Sequence, residues 1–356
     1  MEELDREIFY ATNACMRLLV TGGCGFIGSN FIRYVLEHYD PERITNVDLL
    51  TYAGSLNTTA DLAHRFRDRY EFVRADVADR KQMDEILSAH SYFGIINFAA
   101  ESHVDRSIIS PADFIYSNVV GTGVLLDAAR RHGVKRFLQV STDEVYGSND
   151  VPVSENAILN PSSPYSASKA AGDLLALSYH KTYGQDIVIT RSSNNFGPFQ
   201  YPEKLIPLMI LRALANQPLP VYGDGLYMRD WLYVEDHCAA VFDVLMNGVS
   251  GSIYNVASGS EHKNIDVVKM ILEHLKRSED LITYVKDRPA HDRRYSLDCS
   301  KLRNEIGWKP LRDFASTLLR TVDWYRVNEP WWRAVLAADH GSSPRGWRVL
   351  EQKSNQ

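Results

Sequence analysis

The chain has 356 residues, a mass of 40.4 kDa, 45% hydrophobic and 24% charged residues. That is an average soluble composition, long enough for one large or two modest α/β domains and unlike disordered or fibrous sequences. A formal net charge of -6 gives no positive field to hold nucleic acid, and no apolar run approaches the ~18 residues of a membrane span.

In chain order, residues 1–15 form an N-terminal extension that lacks a basic segment leading into an apolar one, so it does not resemble a secretory signal. From Arg17 onward short apolar runs alternate with amphipathic stretches: RLLV, FIGSNFIRYVLEHY, ITNVD, a polar helical segment, YEFVRADV, KQMDEILSAH and IINFAA. The runs are apolar throughout rather than alternating, as expected of parallel strands covered on both faces. Next come a helix closed by Gly133, the strand FLQVST, a helix closed by Gly184, and the strand IVITRSS. The order predicts an α/β fold: a Rossmann-like doubly wound parallel sheet over 16–193, with segments returning to it near 230–257. Pro and Gly punctuation after Asn194 predicts a smaller, interleaved substrate-binding domain over 194–335, with two more helices in the stretch from IDVVKMILEHLKR to the WYRVNEPWW region, and a polar tail over 336–356. Cys15, Cys24, Cys238 and Cys299 are scattered without a C-x-x-C pair, which suits neither disulfides nor a metal site and points to the cytoplasm.

The first strand runs into a G-x-x-G-x-x-G loop, Gly22, Gly25 and Gly28, with Phe26 and Ile27 opening the helix. Glycines let backbone N–H groups approach a pyrophosphate, and the helix N-terminus adds partial positive charge. About twenty residues on, Asp48 can accept both hydroxyls of an adenosine ribose and repels a 2′-phosphate, which favours NAD over NADP; alternatively it caps the next turn. Asp76 and Val77 follow the third strand and can meet the adenine. Phe98, Ala99, Ala100 and Ser102 follow the fourth and can line the pyrophosphate and nicotinamide ribose; plain loop chemistry is the alternative for each.

Tyr165 and Lys169 lie four residues apart at the start of a helix, so they share a face, and an ammonium beside a phenol makes the tyrosine a base for an alcohol proton. The spacing also arises by chance in exposed helices. Asp143 and Glu144 adjoin the end of FLQVST; in a regular strand they would face opposite ways, so cooperation requires the backbone to leave the strand there. Two acids are superfluous for simple alcohol oxidation and necessary where a proton is removed and a hydroxyl expelled. Without such a pocket they read as a capping Asp and a surface Glu.

These residues, with TGGCGFIGSN, AAESHVDRSI, STDEVYG, SPYSASKA, SNNFGPFQYPEKLIPL, LPVYGDG, RDWLYVEDH, KNIDVV and DRPAHDRRY, resemble the extended short-chain dehydrogenases/reductases and, among them, the dTDP-glucose 4,6-dehydratases. The resemblance spans roughly Arg17 to Trp324. It implies oxidation at C4 of the glucose by Tyr165, with Lys169 depressing its pKa and Thr142 bonding the 4-oxygen. Water is then eliminated across C5 and C6 by Glu144 as base and Asp143 as acid, and hydride returns to C6 from a tightly bound NAD. Leu49, Thr51, Ser117 and Asn195 complete the implied cofactor set. For the nucleotide sugar it implies Ser102, His103, Thr142, Asn194, Lys204, Leu205, Pro220, Tyr222, Arg229, Asn264, Arg288 and His291; no metal is implied. It further implies a homodimer through helices containing Val124 to Arg131 and Ala167 to Tyr179, with Leu125, Leu126, Leu174 and Leu177 as compatible apolar positions that would equally serve an internal core. Asn97, Cys24, Phe196 and Phe199 depart from the usual residues, leaving an oxidation-sensitive thiol and two lost hydroxyls as expectations. A dehydratase of UDP-glucose or UDP-N-acetylglucosamine, a 4-epimerase, and a non-catalytic NAD sensor are the competing readings.

Overall fold

A computed structural model describes residues 16–338 apart from 288 and 290. The extension over 1–15, Arg288 and the tail beyond 338 lie outside the described residues. Six strands build most of the central sheet: β1 (Arg17–Thr21), β2 (Arg43–Asp48), β3 (Tyr70–Arg74), β4 (Gly94–Asn97), β5 (Arg136–Thr142) and β6 (Ile187–Ser192). A strand from far along the chain, β10 (Ile253–Val256), pairs with β6, and the parallel order is β10-β6-β5-β4-β1-β2-β3.

Successive side chains of a strand point to opposite faces, so an all-apolar run serves two cores. Leu18 and Val20 face one core, completed by α1 (Phe26–His38) and α9 (Val234–Asn247). Leu19 faces the other, completed by α3 (Arg80–Ser88), α6 (Thr122–Arg131) and α7 (Pro164–Tyr183). Leu125 and Leu126 are fully buried in this second core, so of the apolar positions considered for a subunit interface these two serve the chain's own interior; Leu174 is 57% exposed. Two short helices, α4 (Val104–Ile109) and α5 (Pro111–Ile115), and a π-helical turn at 116–121 lead into α6.

The remaining strands, β7 (Asn194–Phe196), β8 (Leu219–Tyr222), β9 (Met228–Tyr233), β11 (Glu261–Lys263) and β12 (Ile282–Val285), form two small sheets, β11-β9-β7 and β12-β8. They share a separate core with α8 (Leu205–Leu214), α10 (Asn264–His274) and α12 (Phe314–Val327). The expectation of two helices after residue 264 undercounts, for α11 (Ser300–Ile306) and α13 (Glu329–Ala338) are also present. The seven-residue α11 buries only Leu302, too little to mark a periodic face; α13 is split from α12 at Asn328, just ahead of Pro330, and runs past the expected start of the tail. The strand order reverses between β1 and β4, and the carboxyl ends of strands at such a reversal are where open sheets leave a crevice.

Candidate active site

At that crevice β1 ends and the chain turns through Gly22 at φ 69°. A Cβ on Gly22 would lie 2.6 Å from the Ala99 nitrogen, and one on Gly28 would lie 2.5 Å from the Gly22 carbonyl oxygen. Both obstacles are backbone, which cannot swing aside. Gly25 starts α1 without any side-chain cap, so the N–H groups of the first turn remain for another acceptor. Gly28→Ala should therefore lower thermal stability by about 1–3 kcal/mol, the usual cost of overpacking; an unchanged melting curve would show that the turn is not tight.

The cleft has an empty volume of about 1580 Å³, its open mouth included. The turn residues Gly22, Gly25, Phe26, Ile27 and Gly28 line one end with Asp48, Leu49 and Thr51. Asp48, at the end of β2, accepts from the backbone N–H of Cys24 at 2.9 Å and of Leu50 at 2.7 Å; burial raises its pKa and these two bonds oppose the rise. Asp76 and Val77 lie just beyond β3, with Phe98, Ala99, Ala100 and Ser102 beyond β4, and Ser117 and Asn195 on the facing walls. Cys24 corrects an expectation. It is fully buried between Thr59 and Asn46, and desolvation, reinforced by Asp48, pushes its thiol up to about 12, so the reactive thiolate is suppressed. Phe196 and Phe199 are likewise absent from the cleft: Phe196 packs against Trp231 and Phe314, and Phe199 against Trp324, Trp331 and the Arg33 guanidinium. Their missing hydroxyls bear on core packing rather than on substrate. Asn97 is buried, accepting from Thr21 at 2.6 Å and donating to Gln139 at 2.8 Å.

The catalytic candidates meet at the deep end, where Thr142, Asp143, Glu144, Tyr165 and Lys169 all line the cleft. After Thr142 the backbone leaves β5 for a 3-10 turn over Asp143–Tyr146, capped by the Thr142 hydroxyl on the Glu144 N–H at 3.3 Å. Leaving the strand lets both carboxyl groups reach one space. Asp143 is buried: its Oδ1 accepts from Thr142 at 3.2 Å, and its Oδ2 has no protein partner among the described residues. Desolvation and the neighbouring Glu144 raise its pKa well above the usual range, against the pull of Arg229, which favours the protonated acid over the carboxylate.

Opposite them, α7 begins with a capping box between Ser163 and Ser166 and with Pro164 in its first turn, which fixes Tyr165 at the helix start. Lys169, one turn on, is buried and donates to the Val140 carbonyl at 2.7 Å. Burial, opposed by Asp173, lowers its pKa to about 8. The phenol moves the other way: burial and Glu144 raise it and a hydrogen bond with Thr142 lowers it, a net rise.

The residues expected around a nucleotide sugar fall into two groups. Ser102, Asn194 and Lys204 line the cleft with Thr142; Lys204 donates to the Ser102 carbonyl at 3.0 Å, and the buried Asn194 Oδ1 has no protein partner among the described residues. His103 and Leu205 stand just behind, at the starts of α4 and α8, with His103 Nε2 3.7 Å from Glu203. The structure does not bring Pro220, Tyr222, Arg229, Asn264 and His291 onto this lining. Several of them gather around Tyr227: His291 stacks on its ring at 3.8 Å, Asn264 donates its N–H to the Tyr227 carbonyl at 2.9 Å, and the Arg229 guanidinium lies 6.0 Å from the ring. Tyr222 meets His291 edge-on at 6.1 Å, and Pro220 lies on the same strand. Arg229 links the groups, since its charge acts on Asp143.

Four residues were missed. Glu203 is buried on the cleft with Arg106 at 3.5 Å, and that guanidinium lies 3.7 Å over the ring of Tyr52. Tyr295, buried beneath Arg229 at 4.4 Å, has its pKa raised by burial and next by Glu144. Glu203 adjoins Lys204 in YPEK, and Tyr295 ends DRRY, so motif membership was an available signal.

A parallel sheet reversed at a glycine turn, with a tyrosine, a lysine and two acids closing the crevice, defines a nucleotide-binding enzyme of the short-chain dehydrogenase/reductase class. The family model described as GDP-mannose 4,6 dehydratase matches residues 19–321, and the chain belongs to that family. It is 46% identical to a dTDP-glucose 4,6-dehydratase of Streptomyces niveus over 93% of this chain and 99% of the relative. It is 47% identical to one of Neisseria meningitidis serogroup B over 90% and 96%. Among solved structures, DesIV, a dTDP-glucose 4,6-dehydratase of Streptomyces venezuelae with NAD and TYD bound, superposes with a TM-score of 0.87 at 45% identity, covering 90% of this chain and all of that one.

Proposed function

We propose that this chain is an NAD-dependent dTDP-glucose 4,6-dehydratase. The observation that carries the reading is the convergence of Asp143 and Glu144 with Tyr165 on the lining of one cleft. The relatives' substrate and the NAD bound in DesIV support the choice of ligands. The residues present fit the dinucleotide: an uncapped helix start, two glycines where any Cβ would strike backbone, the Asp48 carboxylate at the end of β2, and a buried Asn195 Oδ1 with no protein partner among the described residues. Bound NAD would supply a positive ring and a store for two electrons, taken from the sugar and given back, so the reaction has no net redox change.

The chain's own groups divide the proton transfers. Tyr165 takes the proton of the 4-hydroxyl while Thr142 orients that oxygen. The phenol's pKa is raised at rest, so this step depends on nearby cations, and Lys169 lies one turn along the same helix face. A ketone at C4 acidifies the C5 hydrogen, which Glu144 removes, and Asp143, whose raised pKa favours the protonated acid, gives its proton to the departing C6 hydroxyl. Incubation with dTDP-glucose should yield a sugar nucleotide lighter by one water. Unchanged mass with inverted C4 would mean an epimerase, and no turnover of any nucleotide sugar would mean a sensor.

Lys169 sets an alkaline limit. An ordinary lysine ionises near 10.5, and burial brings this one to about 8, so above that pH the ammonium is lost and oxidation slows. A kcat/KM profile should fall on its alkaline side from about pH 8; a flat profile to pH 10 would separate Lys169 from the rate.

A homodimer and a cytoplasmic location belong to the same proposal. Ile109, Ile115, Val120 and Leu174 are 45–72% exposed around α4 to α7, an apolar surface suited to a second copy. Cys24, Cys238 and Cys299 are free, which suits a reducing compartment. Among the described residues no helix is long and apolar enough to cross a membrane.

A further inference from the structure

Tyr165, Lys169 and Asp173 follow one another at turn spacing along one face of α7, all three buried. The first two line the cleft; Asp173 stands behind them, and the chemistry above makes no use of it. Its Oδ2 accepts from Arg191 Nε of β6 at 2.9 Å and from Ser141 Oγ of β5 at 3.0 Å. Its Oδ1 is buried with no protein partner among the described residues. Arg191 is also buried and donates from Nη1 to the Tyr146 hydroxyl at 2.9 Å, which in turn donates to Asn255 Oδ1 at 2.9 Å. Tyr146 closes the 3-10 turn that bears Asp143 and Glu144, and Ser141 precedes Thr142. One carboxylate therefore touches, directly or through Arg191, both sides of the catalytic constellation.

We propose that Asp173 is a positioning residue that holds the acid-bearing turn through Arg191 and Tyr146 and sets a buried carboxyl group one helical turn behind Lys169 to support it. This rests on the proposed dehydratase reading. A buried ion pair with Arg191 alone would add little stability over an apolar pair of the same shape, so stability is a weak reason for this anion. Its effect on Lys169 is direct: burial favours the neutral amine, and Asp173 opposes it. Among the described residues, the titratable and charged neighbours are Tyr165 on α7, which Asp173 also influences and which faces Asp143 and Glu144 on the turn, and Arg191 on β6, which bonds both Asp173 and Tyr146. Asp173 pairs with Arg191 at 2.9 Å and is the carboxylate whose charge raises the Lys169 pKa against burial.

The test compares the pH profile of dTDP-glucose turnover and the melting temperature in wild type, D173N and D173N/R191Q. D173N leaves Arg191 buried without its anion and should melt lower. The double variant removes both charges and should recover stability. If Asp173 serves Lys169, the alkaline limb moves down by about one pH unit in both variants, and activity above the limb falls about tenfold. A limb unmoved in the double variant, or a double variant that does not fold, would reduce Asp173 to a structural partner of Arg191 and overturn the proposal. Should D173N alone not fold, the double variant carries the comparison. Wild-type protein that fails to dehydrate dTDP-glucose would instead remove the underlying reading, whatever the limb does.

Discussion

Glu144→Gln should oxidise its substrate and stop there. The amide keeps the shape and the Thr142 cap on its backbone N–H but has no basicity, so removal of the C5 proton fails. Loss of that negative charge also relieves Tyr165, whose pKa it raises, so the oxidation step is not slowed for want of phenolate. Overall turnover should fall by about 10²–10⁴-fold, the usual worth of a positioned base. Single-turnover absorbance of reduced nicotinamide should nonetheless rise and persist, with a sugar nucleotide two hydrogens lighter than substrate and no water lost. Unimpaired dehydration, or no oxidation at all, would contradict the role.

Tyr165→Phe should fail one step earlier. The ring keeps its edge contact with Phe114 at 6.2 Å, so the fold should hold, with a loss of about 1 kcal/mol for the hydrogen bond to Thr142. Without the phenol no group takes the 4-hydroxyl proton, and turnover should again fall by about 10²–10⁴-fold. Here absorbance stays flat because oxidation never begins. The two variants thus divide the reaction at the ketone: one blocks before reduced nicotinamide appears, the other after. A Tyr165→Phe protein that still accumulates reduced nicotinamide would place the first base elsewhere.

What was legible in the residues follows from the range of the interactions involved. The cofactor half is written locally, because the glycine turn, Asp48 and the residues after β3 and β4 are each ends of strands whose order the apolar runs announce. The turn at Asp143 was legible only as a condition, that the backbone must leave the strand, and it does so under the Thr142 cap. Glu203 sits in the YPEK motif, but its ion pair with Arg106, whose guanidinium covers Tyr52, was not legible, since it joins segments about a hundred residues apart through burial that no local pattern reports. Cys24 was misjudged for the same reason. Proximity to an anion site suggested reactivity, while the enclosure by Thr59 and Asn46 decides against it. Leu125 and Leu174 look alike as helix positions, and only packing separates the core residue from the exposed one.

The most direct measurement is the fate of deuterium placed at C4 of dTDP-glucose. The account predicts a product lighter by one water that keeps the label, now at C6, while solvent supplies the hydrogen at C5. A dehydrated product whose C4 label has passed to solvent, or a labelled sugar that loses no water, would contradict it.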